Sequence, residues 1–114
     1  MELRSPDPTC NPPYLTFAAI LTAGMEGIKK QLVPPAGVNQ NIFEMSADDR
    51  KKAHIDTLPG DLITANEHLL EDKLICDTLG SHVIDGLNSI AQMEWDSFRT
   101  EVHPWEVEQY LTRF

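Results

Sequence analysis

Apolar residues in this chain recur mostly at helical spacing, and Pro, Gly and short acidic caps cut the pattern into segments. The clearest segment is 81–102. Val83, Leu87, Ile90, Ala91, Phe98 and Val102 fall on one stripe at i, i+4, i+7 and i+8 intervals and predict one long helix. His103-Pro104 ends it, because the residue before a proline avoids the helical region. Pro104 then opens a last helix over 105–111. A second long helix is expected over 14–31, with Asn11 as its cap and Pro12 and Pro13 where a missing N–H costs least. Leu15, Phe17, Ala18, Ile20, Leu21, Met25 and Ile28 cover nearly its whole circumference, the pattern of a buried helix. A chain this small can hardly enclose such a helix, so a neighbour is missing. Gly24 and Gly27 either allow a close approach or simply weaken it.

Between these two lie shorter elements. Val33-Pro34-Pro35-Ala36-Gly37 reads as a linker, and 38–45 as irregular. Ser46 caps a short helical turn that runs to about Ala53, with Asp48 and Asp49 in its first turn. Asp61 caps a helix to about Leu70. Another starts at Glu71 or Asp72 and ends at Leu79, with Gly80 just beyond its end. At the N-terminus Glu2, Leu3 and Arg4 read as a short strand, stopped by Pro6 and Pro8, which lack backbone donors. The expected fold is mainly α, one short N-terminal strand followed by five or six helices.

Composition narrows the function classes. A chain of 114 residues is one domain by length, and its 24% charged and 41% hydrophobic content is ordinary for a globular protein. The formal charge of −9 repels phosphate backbones and anionic lipid, which argues against nucleic-acid and membrane-surface partners. No apolar leader is visible after Met1, and the apolar run over 15–28 is too broken to span a bilayer. Cys10 and Cys76 have no CxxC spacing and read as reduced thiols of a cytoplasmic protein. His54, His68, His82 and His103 share no metal-ligand spacing.

The candidate chemistry sits at the start. In an extended segment residues i and i+2 point to one face, so Glu2 and Arg4 would stand side by side. By spacing alone, such a pair is usually a surface ion pair worth about 0–1 kcal/mol. If it belongs to an active site, most of that site lies upstream of Met1.

Larger blocks alter that balance. Glu2-Leu3-Arg4-Ser5-Pro6-Asp7-Pro8, Asn11-Pro12, Tyr14-Leu15 and Ala23-Gly24-Met25-Glu26-Gly27-Ile28-Lys29 closely resemble the C-terminal part of bacterial type I glutamine synthetase. So do Glu94-Trp95-Asp96, Phe98-Arg99-Thr100, Val102-His103-Pro104-Trp105-Glu106 and Glu108-Gln109-Tyr110, in the manner of the feedback-inhibited, non-adenylylated Gram-positive type. The resemblance implies the C-terminal helical portion of an α+β catalytic domain. It implies ATP-dependent joining of L-glutamate and ammonia through γ-glutamyl phosphate, with magnesium or manganese. Glu2 would then be a metal ligand, since hard cations take carboxylate oxygens. Arg4 would be the catalytic and substrate-binding group, orienting glutamate and stabilising negative charge with its planar fork.

The same resemblance sets limits. The family's other metal carboxylates, its histidine ligand and its nucleotide-binding arginines lie upstream, so this chain alone is expected to bind no cofactor and to be inactive. Asn11-Pro12-Pro13-Tyr14 carries one residue more than the family's Asn-Pro-Tyr. Phe43 stands where relatives carry the tyrosine that receives AMP, so no adenylylation is expected, and the ring reads as a packing residue. In the family two hexameric rings stack into a dodecamer, which implies self-association. Residues 103–114 would be an assembly arm and a contact for nitrogen-responsive regulators, although Trp95, Phe98, Trp105 and Tyr110 read equally well as core. A stand-alone helical interaction module derived from the enzyme is the competing reading.

Overall fold

The structure is a computed structural model that describes residues 12–111 and 113. The expected strand, with Glu2 and Arg4, lies outside the described residues, as does Asn11; the N-cap position of α1 falls instead on Pro12, which offers no side-chain cap. Six α-helices follow: α1 (Pro13–Lys29), α2 (Ala47–Lys52), α3 (Leu62–Glu71), α4 (Lys73–Leu79), α5 (Ser81–Phe98) and α6 (Pro104–Tyr110). A single 3-10 turn, Ile42–Glu44, interrupts the segment expected to be irregular; the Asn41 side chain accepts the Phe43 N–H at 3.2 Å and closes it.

Short polar side chains set the starts of three of the six α-helices. Ser46 accepts the Asp49 N–H at 3.1 Å, Asp61 accepts the Thr64 N–H at 2.8 Å and Asp72 accepts the Ile75 N–H at 3.1 Å. In α6 the roles are reversed, and the Glu106 carboxylate accepts the His103 N–H at 2.9 Å. Gly80 is the joint between α4 and α5, at φ 80° and ψ 155°, a conformation open essentially to glycine alone. α1 ends in a Schellman turn: the Leu32 N–H donates to the Gly27 carbonyl at 3.0 Å and the Gln31 N–H to that of Ile28 at 3.1 Å. Gln31 takes φ 51° there, where glycine is the usual residue, and His54 takes φ 53° in the matching turn after α2.

α5 stops at Phe98, four residues short of the expected end at Val102. The last turn tightens instead of continuing: the N–H groups of Thr100 and Glu101 donate to the carbonyls of Ser97 and Phe98, and the Thr100 hydroxyl also binds the Ser97 carbonyl. The stripe on α5 is rotated as well. Ile84 and Ala91 are buried, Leu87, Asn88 and Trp95 are half-buried, and Ile90, Phe98 and Val102 face solvent.

The packed helix pairs are α1 on α4, α3 on α5, α4 on α5 and α3 on α4; α2 and α6 take part in none of them. Asn66 of α3 is buried and donates through Nδ2 to Oδ1 of Asn88 on α5 at 2.8 Å. Cys76 of α4 reaches back to the Leu69 carbonyl at 3.2 Å. Among the described residues only Ile84, Ala91 and Asn66 are buried. The Cα radius of gyration is 18.3 Å, against the roughly 13 Å of a compact domain of this length. The helices therefore form an open layer rather than a closed core.

α1 shows this most clearly, because none of its residues is buried. Leu15, Ala18, Ala19, Thr22 and Glu26 are half-buried. Tyr14, Phe17, Leu21, Met25 and Ile28 are exposed, Ile28 to 72%. Its larger apolar side chains thus point away from the rest of the chain. The inner flank borders a groove of about 260 Å³ floored by Ile75, Leu79 and Leu87.

Candidate functional site

Neither Glu2 nor Arg4 falls within the described residues. Among the residues that do, no group of three His, Cys, Asp or Glu side chains is arranged to hold a metal ion. Several acidic residues serve local structure. Asp61, Asp72 and Glu106 cap helices. Asp49 binds the Ser46 hydroxyl at 2.7 Å. Glu26, half-buried, pairs with the exposed Lys30 at 3.0 Å, and Asp96 pairs with Arg99 at 2.9 Å in an exposed pair of the kind worth about 0–1 kcal/mol. The Thr64 backbone N–H, reinforced by its hydroxyl, holds the Asp61 carboxyl below its ordinary 3.8.

The surfaces on offer are apolar and aromatic. At the C-terminal end Trp95 and Phe98 stack at 6.3 Å between centroids, and the Phe98 ring lies 4.6 Å from the imidazole of His103. Trp105 and Tyr110 meet edge to face at 6.0 Å, and the Arg113 guanidinium sits 5.7 Å from the centre of the Tyr110 ring. The tail thus packs along itself, yet Trp105 remains 61% exposed. A cleft of about 390 Å³ opens where the start of α3 meets the end of α5, between Leu62, Trp95 and Phe98. Phe43, expected to pack, does not: it is 99% exposed on the 3-10 turn. The outer face of α1 was legible only as excess apolarity. What the sequence pattern lacked was the direction in which that excess points.

This geometry defines a class before it defines a chemistry: among the described residues, a layer of helices whose apolar faces are left open. The comparisons with known proteins supply the family. The model of the family described as "Glutamine synthetase, catalytic domain" matches residues 1–110. The glutamine synthetase of Clostridium saccharobutylicum is 46% identical over 114 residues, all of this chain and 26% of that protein. Those of Thermus thermophilus and Methanocaldococcus jannaschii are each 44% identical, over 99% and 97% of this chain and 25% and 24% of theirs. The chain belongs to the glutamine synthetase family, within its catalytic domain. It spans about a quarter of the length of the curated relatives it matches. Identities this close across three such organisms single out no one type within the family.

Proposed function

We propose that this chain acts as the C-terminal helical portion of a glutamate–ammonia ligase that forms glutamine with ATP through γ-glutamyl phosphate. The observation that carries the proposal is the family match over residues 1–110, with identity sustained across the chain. Glu2 would supply one carboxylate ligand to magnesium or manganese. Arg4 would clamp the glutamate substrate and the transferring phosphoryl group. In this reading the enzyme is cytoplasmic and of the feedback-inhibited type. It self-associates, with residues 103–114 as the arm between rings and a contact for nitrogen regulators. Phe43 carries no hydroxyl, so no nucleotide is attached there. No described helix is long and apolar enough to cross a membrane.

The 114-residue chain alone forms no glutamine in this reading, because one carboxylate and one arginine cannot assemble metals, ATP and glutamate. The test is a chimera. The matching quarter of the Clostridium saccharobutylicum protein is replaced by this chain, and ATP-dependent glutamine formation is assayed. Activity is expected in the chimera. It should fall by at least about a hundredfold with Glu2→Ala or Arg4→Ala, the scale of losing one group that stabilises developing charge. An assembled but inactive chimera, or turnover by the free chain, overturns the proposal. The open apolar face of α1 also suits a stand-alone interaction module. An upstream reading frame encoding the remaining three quarters favours the enzyme, and a native start at Met1 favours the module.

A further inference from the structure

The cleft where the start of α3 meets the end of α5 takes no part in the functional reading above. Its volume of about 390 Å³ falls within the range of small-molecule sites, about 300–1,000 Å³. Leu62 of α3 and Trp95 and Phe98 of α5 give it an apolar lining, and Gly60 adds no side chain. Leu62 and Phe98 are open to solvent, and the two rings stack at 6.3 Å between centroids. The remaining lining residues are Asp61 and Glu94, one carboxylate from each side of the cleft. Among the described residues neither forms an ion pair. The Thr64 N–H holds the Asp61 carboxyl below its ordinary 3.8, so it stays charged at neutral pH. The cations nearby in sequence are placed elsewhere. Arg99 is engaged by Asp96 at 2.9 Å, and the His103 imidazole, against Phe98, does not line the cleft.

Charge decides what such a cleft takes. Two carboxylates without a cation repel an anionic ligand. A neutral one would cover them and leave them without a partner, at a cost in desolvation. An ammonium group answers both, and the faces of Trp95 and Phe98 attract it through their ring quadrupoles. The net charge of −9 adds a favourable field at longer range. We propose that this cleft binds a small organic ammonium ion with an aromatic body, its ring against Leu62, Trp95 and Phe98 and its ammonium held toward Asp61 and Glu94. A free amino acid is a poor occupant, because its own carboxylate would meet the same two groups. The proposal does not rest on the family's reaction and concerns none of the residues assigned to it.

The test titrates the 114-residue chain with three probes of similar size and different charge: 2-phenylethylammonium, 2-phenylethanol and 3-phenylpropionate. Binding is read from the indole N–H signal of Trp95 in proton–nitrogen correlation spectra, assigned with Trp105→Phe. The ammonium should shift that signal saturably and bind at least about tenfold more tightly than the alcohol, with the carboxylate weakest. No saturable shift with the ammonium, or equal affinity for ammonium and alcohol, overturns the proposal. So does a carboxylate that binds as tightly as the ammonium. Asp61→Asn combined with Glu94→Gln removes both charges and keeps a side chain able to cap α3. In that variant the affinity for the ammonium should drop to that for the alcohol, and an unchanged affinity overturns the proposal. Should the double variant not fold, the ranking of the three probes on the native chain decides alone.

Discussion

The Asn66–Asn88 pair is the most consequential contact between single residues in the layer. It places two amides where α3 and α5 press together, with the Asn66 Nδ2 donating to the Asn88 Oδ1. Asn66→Ala should cost about 1–3 kcal/mol, since it strands the Asn88 carbonyl oxygen near the buried face. Replacing both by leucine should be close to neutral, because no polar group is then left unpaired. Urea unfolding followed by far-UV dichroism reads both. A pattern of hydrophobic positions could not find this contact. Asn88 is polar, so the apolar stripe drawn on α5 passed instead through Ile90, Phe98 and Val102, and the inward face came out rotated. Asp61 was legible as a cap, and it adds a pH dependence. Its folded pKa lies below 3.8, so its contribution is complete above that pH and is lost as pH falls through the folded value. The stability advantage of the native chain over Asp61→Ala should therefore shrink between pH 7 and about pH 3.

At the scale of elements, helix ends were read well because their chemistry is local. Ser46, Asp61, Asp72 and Gly80 each fix a boundary with one or two atoms. The end of α5 was misjudged because Val102 prolonged an apolar rhythm, while the backbone was already diverted by the 3-10 bonds at Thr100 and Glu101. Two glycines of this region make opposite predictions. Gly80→Ala should destabilise by about 1–3 kcal/mol, since alanine cannot relax at φ 80° and ψ 155°. Gly86→Ala, in the exposed middle of α5 with open space around its Cα, should stabilise by about 0.5–1 kcal/mol. At the end of α1, Gln31→Gly should gain a similar amount, about 0.5–1 kcal/mol, by relieving a left-handed backbone. Thermal unfolding of the single variants distinguishes the three.

For the whole molecule the governing fact is how little is enclosed. Native-state hydrogen exchange should be slowest around Ile84–Ala91, where α5 meets its neighbours. It should be fast throughout α2 and α6, which belong to no packed pair. Deleting 104–114 should then leave the melting of the α3–α4–α5 layer essentially unchanged, and a large drop would show that the tail supports it. The helical class was legible from periodicity, and the open character of α1 from its surplus of apolar positions. The inward direction of that surplus was not, because a helix apolar all round gives no sign of which flank its own chain will take. Glu2 and Arg4 are candidates for the chemistry only through the resemblance of the blocks around them.

The aromatic run at the C-terminal end also governs how this protein can be watched. Both of its tryptophans, Trp95 and Trp105, lie in the last twenty residues, and α1 has none. Intrinsic fluorescence therefore observes the junction of α5 and α6, whereas far-UV dichroism is dominated by the long helices. A partner that settles on α1 would leave the emission spectrum nearly silent. Replacing Phe17 by tryptophan would turn the outer face of α1 into its own optical reporter.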